Sequence, residues 1–153
     1  MSKNEPRVLV LESHDALRVM LFTVLRHQPL GVDTASTARE ALEKIQTCDY
    51  ALIVVDMELP DDDAQFFLDE FHEQRPDATT FILAVRDPRG DSFLDPEVIS
   101  ATMNKPIELD MLAELVRECA LVVPPPEEPL SASCPPSESE IRTRMERGSY
   151  LAN

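Results

Sequence analysis

The chain has 153 residues, 43% of them hydrophobic, which allows one domain with a single core and a tail and excludes a wholly disordered polymer. Its apolar runs, such as Ala51–Val55, are too short to cross a bilayer. With 14 basic against 29 acidic residues the net charge is −15, which excludes direct nucleic-acid binding because that needs clustered Lys and Arg.

The opening segment MSKNEPR has no apolar stretch of the signal-peptide kind, so a cytoplasmic location without membrane association is expected. Cys48, Cys119 and Cys134 are odd in number and lack metal-ligand spacing. They are expected to be free thiols in a reducing compartment. His14, His27 and His72 are scattered, which disfavours a zinc site.

Along the chain, strand-like and helix-like segments alternate. Arg7–Leu11 (RVLVL) is a continuous apolar run of the kind found in parallel strands covered on both faces. Leu17, Met20, Leu21, Val24 and Leu25 then recur at helical spacing. Gly31–Ala35 reads as a short, more polar strand at a sheet edge. Thr37 and Glu40 form a capping box ahead of the helical set Ala38, Ala41, Leu42 and Ile45.

Tyr50–Val55 is the strongest strand signal and ends directly at Asp56. Beyond Pro60 and three consecutive aspartates, Phe67, Leu68 and Phe71 mark a third helix that Pro76 closes. Thr80–Val85 is a fourth buried strand. Pro88, Gly90 and Pro96 interrupt any long helix across residues 86–99. A short strand near Ala101–Asn104 precedes Lys105-Pro106, and Leu109, Leu112, Leu115, Val116 and Cys119 line a last amphipathic helix.

Strands alternating with helices imply right-handed crossovers and a parallel sheet covered on both faces. The functional crevice of such a sheet lies outside the carboxyl ends of its strands. Glu12, Asp56, Val85 and Lys105 all fall at or near those ends. Residues 124–140 are rich in Pro, Glu and Ser and read as an extended, solvated linker. Ser137 and Glu140 are placed to cap a short helix through Arg147, with Gly148 as its stop.

Three segments in order resemble one family. VLVLESHDALRVML is similar to the opening strand, acidic pair and first helix of response-regulator receiver domains. VVDMELPDDDA resembles their third strand with its phosphoacceptor, and NKPIELDML their lysine-proline step and last helix. The resemblance covers about residues 6–121. It implies a flavodoxin-like α/β three-layer sandwich with a five-stranded parallel sheet of order 2-1-3-4-5.

The resemblance also implies a site. Asp56 would be the nucleophile that accepts a phosphoryl group, since a carboxylate can form an acyl phosphate. Lys105 would pair with that group, through a cis bond to Pro106. A magnesium ion would be held by Glu12, Asp56 and the backbone carbonyl of Glu58.

Several positions depart from the family pattern. Ser13 stands where a second carboxylate is usual, so magnesium affinity should fall; Asp15 or Asp61 is a candidate to compensate. Val85 replaces the Thr or Ser whose hydroxyl follows the phosphoryl group, and Thr102 replaces an aromatic switch residue. Ala64 stands where glycine is frequent, and the fourth-helix region is shortened and broken by proline.

Two roles fit this pattern. One is a stand-alone two-component receiver that is phosphorylated at Asp56 by a histidine kinase or phosphotransfer protein, signals to an output protein, and catalyses nothing beyond that self-directed transfer. The other is a pseudo-receiver that docks a partner without phosphorylation. A nucleotide-dependent enzyme is disfavoured, because none of the three glycines forms a phosphate-cradling loop after the first strand. The chain thus divides into a receiver domain (1–123), a linker (124–140) and a short basic tail (141–153). Arg142, Arg144 and Arg147 equip that tail either to dock on its own acidic domain or a partner, or to remain solvated.

Overall fold

Five short strands, β1 (Arg7–Leu11), β2 (Gly31–Ala35), β3 (Leu52–Asp56), β4 (Phe81–Arg86) and β5 (Ala101–Asn104), form one parallel sheet of order β2-β1-β3-β4-β5 in the computed structural model. Residues 5–126, 130 and 134–151 are described. The helices are α1 (Asp15–Leu25), α2 (Ala38–Ile45), α3 (Asp63–Gln74), α4 (Leu109–Val122) and α5 (Glu138–Leu151), with a short 3₁₀ turn at Pro60–Asp62. Strand order and layering are those expected from the sequence.

The pleat sorts side chains into two cores. Val8 and Val10 of β1 face Leu21 and Leu25 of α1 and Leu112 and Val116 of α4. Leu9 and Leu11 face the other way, onto Ala38, Ala41 and Ile45 of α2 and Phe67, Leu68 and Phe71 of α3. Side chains alternate across a strand, so a continuous apolar run feeds both layers at once. Burying each of these large side chains contributes roughly 1.5–3 kcal/mol. The predicted cap of α2 is present: Thr37 Oγ1 accepts from the Glu40 amide at 3.1 Å. Asp63 Oδ2 also accepts from the Ala38 amide at 2.6 Å, placing an acid at the positive end of α2.

Two strands are shifted in register from their apolar runs. β3 starts at Leu52 and includes Asp56, because the Asp56–Val85 pairing is its last rung with β4. β4 runs one residue further, to Arg86, which pairs with Asn104. Between β4 and β5 no helix forms; residues 87–100 are irregular backbone with turns at 88–89 and 96–98. Proline at 88 and 96 removes the donors a helix would use. Ile99 anchors this stretch in the core, and Ser100 Oγ accepts from the Ile82 amide at 3.0 Å.

The C-terminal segment departs most from expectation. Residues 127–129 and 131–133 lie outside the described set, but the rest of the expected linker is not simply solvated. Leu130 donates its amide to Asp49 at 2.9 Å. Cys134 is disulfide-bonded to Cys48, with Cα atoms 5.1 Å apart, so the expectation of three free thiols is corrected: Cys119 alone is a free thiol. The partners are 86 residues apart, a separation at which spacing gives no signal. Helix α5 begins at Glu138, with Ser137 Oγ accepting from the Glu140 amide at 3.2 Å, and Ser137 is buried. The helix passes through Gly148 to Leu151, so the expected stop at Gly148 is also corrected. A helical glycine costs about 1 kcal/mol relative to alanine, which weakens a helix without ending it.

The N-terminus of α5 seals the open edge of the sheet. The outward amides of β2 donate to its side chains: Val32 to Ser139 Oγ at 2.8 Å and Thr34 to Glu138 Oε1 at 2.8 Å. Lys44 pairs with Glu138 at 2.7 Å, and Arg26 pairs with Glu146 farther along the helix. Unpaired strand edges template unwanted association, and a covering segment removes that hazard.

Asp33 is the node of this seam. It is 3% exposed and accepts from Arg7 Nε at 2.7 Å, the Tyr50 hydroxyl at 2.6 Å and the Glu138 amide at 2.9 Å. Burial, and then the charge of Asp33, hold the Tyr50 hydroxyl well above its ordinary pKa. Asp33→Ala therefore leaves buried donors without an acceptor and is expected to lower unfolding stability by about 2–4 kcal/mol in urea titrations. Asp15→Ala, which removes an exposed ion pair with Arg18, should change it by no more than about 0.5 kcal/mol.

Candidate functional site

At the carboxyl edge of the sheet, adjacent strands bring four sequence-distant groups together. β1 delivers Glu12 just past its end, β3 ends on Asp56, Val85 of β4 pairs with Asp56, and Lys105 follows β5 directly. Lys105 Nζ lies 2.6 Å from Asp56 Oδ1 and 2.9 Å from Glu58 Oε1. The Lys105–Pro106 bond is cis, as the resemblance implies.

Asp56 is 6% exposed, and its Oδ1 also accepts from the Glu58 amide at 3.0 Å. Both of these donors go to Oδ1, so Oδ2 receives neither. Burial opposes the Lys105 charge, but hydrogen bonds and attraction from Asp56 and Glu58 outweigh it and raise its pKa. Lysine is therefore a fixed cation here.

Glu12 is 2% exposed, and its Oε2 accepts from the His14 amide at 3.0 Å. Burial first, then hydrogen bonding and repulsion from Asp56, push its pKa from 4.5 to about 7, against the opposing pull of the His14 amide and Lys105. Two buried carboxyl groups in contact beside one lysine form an oxygen-donor set that lacks cationic charge. Such oxygen donors are of the kind hard divalent cations accept, although among the described residues no group of three or more His, Cys, Asp or Glu side chains is arranged to hold a metal ion.

Ser13 is half-buried beside Glu12 and adds no charge. Neither compensating candidate is recruited. Asp15 is exposed and turned to Arg18 at 2.6 Å, and Asp61 is exposed in the turn after β3. That turn holds Asp61 and Asp62 at φ of 60° and 54°, a left-handed pair that short polar side chains tolerate best. Val85 is fully buried with no hydroxyl to offer, and Thr102 is exposed on the edge strand β5.

The side chain of Glu58 has a role that its sequence position does not advertise. Glu58 Oε1 accepts from the Asp87 amide at 2.8 Å as well as from Lys105, and so ties the turn after β4 to the lysine. Sequence reasoning assigned only its backbone carbonyl. An acid two residues beyond a strand end is common on such a surface, and only the fold shows what it reaches.

Glu12 also gives the site a pH signature. The folded carboxyl keeps its proton to about pH 7, whereas the unfolded one releases it near 4.5. Between those values the native state binds more protons, so this group's contribution to stability falls as pH rises and levels off above 7. Urea midpoints of metal-free protein across pH 5–8 should show that decline, and Glu12→Gln should reduce it.

Comparison with known proteins adds an independent line. The family model described as "Response regulator receiver domain" matches residues 8–117. A curated relative, the transcriptional regulatory protein PmrA of Pectobacterium parmentieri, is 30% identical over 112 residues, covering 72% of this chain and 50% of the relative. The chain thus spans about half the length of that relative. Among solved structures, a CheY-like receiver domain from Methanospirillum hungatei JF-1 has a TM-score of 0.65 at 24% identity, covering 76% of this chain and 94% of that one. The response regulator TrrA of Thermotoga maritima, solved with Mg(2+)-BeF, has a TM-score of 0.64 at 23% identity, covering 74% and 98%. At these identities the structural matches speak for the fold.

Proposed function

The chain belongs to the response regulator receiver domain family, and from that premise we propose that Asp56 accepts a phosphoryl group from a histidine kinase or phosphotransfer protein. Receiver domains are signalling modules of two-component systems. The finer assignment rests on one observation: Lys105 Nζ stands 2.6 Å from Asp56 Oδ1 at the carboxyl end of β3.

In the proposed step an Asp56 carboxylate oxygen attacks the donor's phosphorus. The new P–O bond forms as the bond to the donor breaks, and the leaving group departs with that electron pair. Lys105 neutralises charge on the phosphoryl oxygens. Glu12, Asp56 and the Glu58 carbonyl would hold a magnesium ion, which would supply charge neutralisation that one lysine cannot; TrrA, a structural relative, was solved with Mg(2+)-BeF. The modified domain then signals through protein–protein contacts.

The replacement of two expected groups favours a second reading, in which the domain docks partners without phosphorylation. Ser13 provides no charge for the metal, and Val85 provides no hydroxyl to sense the phosphoryl group.

Treatment with acetyl phosphate and magnesium, followed by intact-mass analysis, separates the two. A phosphoryl adduct is expected on the wild type and should be lost in Asp56→Asn. Ser13→Asp should lower the magnesium concentration needed for half-maximal adduct by about tenfold, as one added carboxylate strengthens a weakened cation site. No adduct together with no magnesium binding would overturn phosphorylation and leave the docking role.

A further inference from the structure

The described residues of the C-terminal segment attach to the domain at several points, here called a strap: Thr79 donates to the Pro124 carbonyl at 3.3 Å, Leu130 to Asp49, Cys134 is bonded to Cys48, and Arg7 donates to the Pro135 carbonyl at 2.6 Å. α5 then runs along β2.

We propose that Cys48 and Cys134 are a thiol–disulfide modification site that fastens and releases this strap, with a low-molecular-weight thiol or disulfide of the glutathione class as co-reactant. Cys134 is the reactive sulfur and Cys48 the resolving one.

Three observations carry this assignment. First, the sulfurs differ in access: Cys48 is 3% exposed within the α2–α3 core, whereas Cys134 is half-buried at the surface. A small co-reactant reaches Cys134 and not Cys48. Second, Arg7 Nη1 lies 2.9 Å from Cys134 Sγ, where a guanidinium stabilises negative charge on sulfur once the bond opens. Third, the strap's other attachments are polar. Asp33 and Ser139 hold it by buried hydrogen bonds, and Glu138, Lys44 and Arg26 by partly exposed ion pairs of modest net strength. Among the described side chains of α5, the apolar Ile141 and Met145 are exposed. A free helix of 14 residues is marginal in water. The covalent bond is therefore what makes docking persistent.

The chemistry balances. In oxidation, the Cys134 thiolate attacks a disulfide RSSR and expels one RS⁻, leaving a mixed disulfide at Cys134. Cys48 loses its proton, attacks Cys134 Sγ and expels the second RS⁻. Two protein thiols become one disulfide while RSSR becomes two RSH. Reduction reverses both steps, with RS⁻ attacking the accessible Cys134 Sγ. Opening the bond lets α5 leave β2, which exposes the Val32 and Thr34 amides.

The test uses the full chain in glutathione buffers, read by alkylation mapping and amide hydrogen exchange. In oxidised buffer the mass should fall by two hydrogens and only Cys119 should be alkylated. In reduced buffer Cys134 should be alkylated before Cys48, and exchange at Val32 and Thr34 should quicken by about tenfold or more. Cys48→Ser should trap a glutathione adduct on Cys134, whereas Cys134→Ser should leave Cys48 unmodified. Three alkylatable thiols in oxidised buffer, or an adduct on Cys48 in place of Cys134, would overturn the site. Unchanged protection of Val32 and Thr34 on reduction would overturn the release of the strap.

Discussion

The carboxyl edge of the sheet depends on a shortage of positive charge. Lys105 lies 2.6 Å from Asp56 and 2.9 Å from Glu58, while Glu12 is buried against Asp56 with no cation of its own at that range. Carboxylates in a dry setting repel strongly, and one ammonium cannot neutralise all of them. The protein resolves this by leaving a proton on Glu12 to about pH 7. A divalent cation held there, as proposed, would supply the missing positive charge in place of that proton. The same deficit that burdens the metal-free fold is what supports the proposed metal site, to which Ser13 would add no charge.

The sheet and the gathering of Asp56 and Lys105 at its carboxyl edge were legible from local pattern, while their pairing was implied by the family resemblance. RVLVL and LIVVD are continuous apolar runs, which fixes them as central strands buried on both faces, and strand ends fix what stands at the crevice. Edge and tail were less legible. β2 (GVDTA) carries Asp33, which reads as an ordinary polar residue of an exposed edge. Its burial depends on Arg7, Tyr50 and Glu138, three residues contributed by distant parts of the chain. Residues 124–140 have the composition of a linker, but composition is blind to where single residues land. Cys134 and Ser139 dock, and nothing in their neighbours announces it.

The strap and the carboxyl-edge site are built at opposite ends of the strands. Arg7, Asp49 and Thr79, which meet the strap, lie at or just before the amino ends of β1, β3 and β4; Glu12, Asp56 and Arg86 lie at or just beyond their carboxyl ends. Release of the strap therefore leaves the Asp56–Lys105 pair untouched, and the strap's nearest approach to the crevice is Glu138 at Thr34, one residue before the Ala35 carbonyl that accepts from the Glu12 amide. What it changes is the edge of the sheet and the surface of α2, through Lys44.

If Asp56 is phosphorylated as proposed, communication within the site would run through charge, since Val85 has no hydroxyl with which to follow a phosphoryl group. Glu58 offers the route. Its carboxylate holds both Lys105 and the Asp87 amide, so the turn after β4 is anchored to the same ammonium that faces Asp56. Any anion that draws Lys105 away leaves Glu58 with one partner and loosens its grip on Asp87. The segment beyond that amide is the proline-broken stretch without a helix, where Phe93 is 72% exposed and Ile99 is the buried anchor. Leu94 and Val98 of that segment pack against the core beside Ile99, so a lost tether would free mainly the turn nearest Asp87. On the proposed reading, a carboxylate tether of short reach would couple Asp56 to that turn without a hydroxyl at position 85.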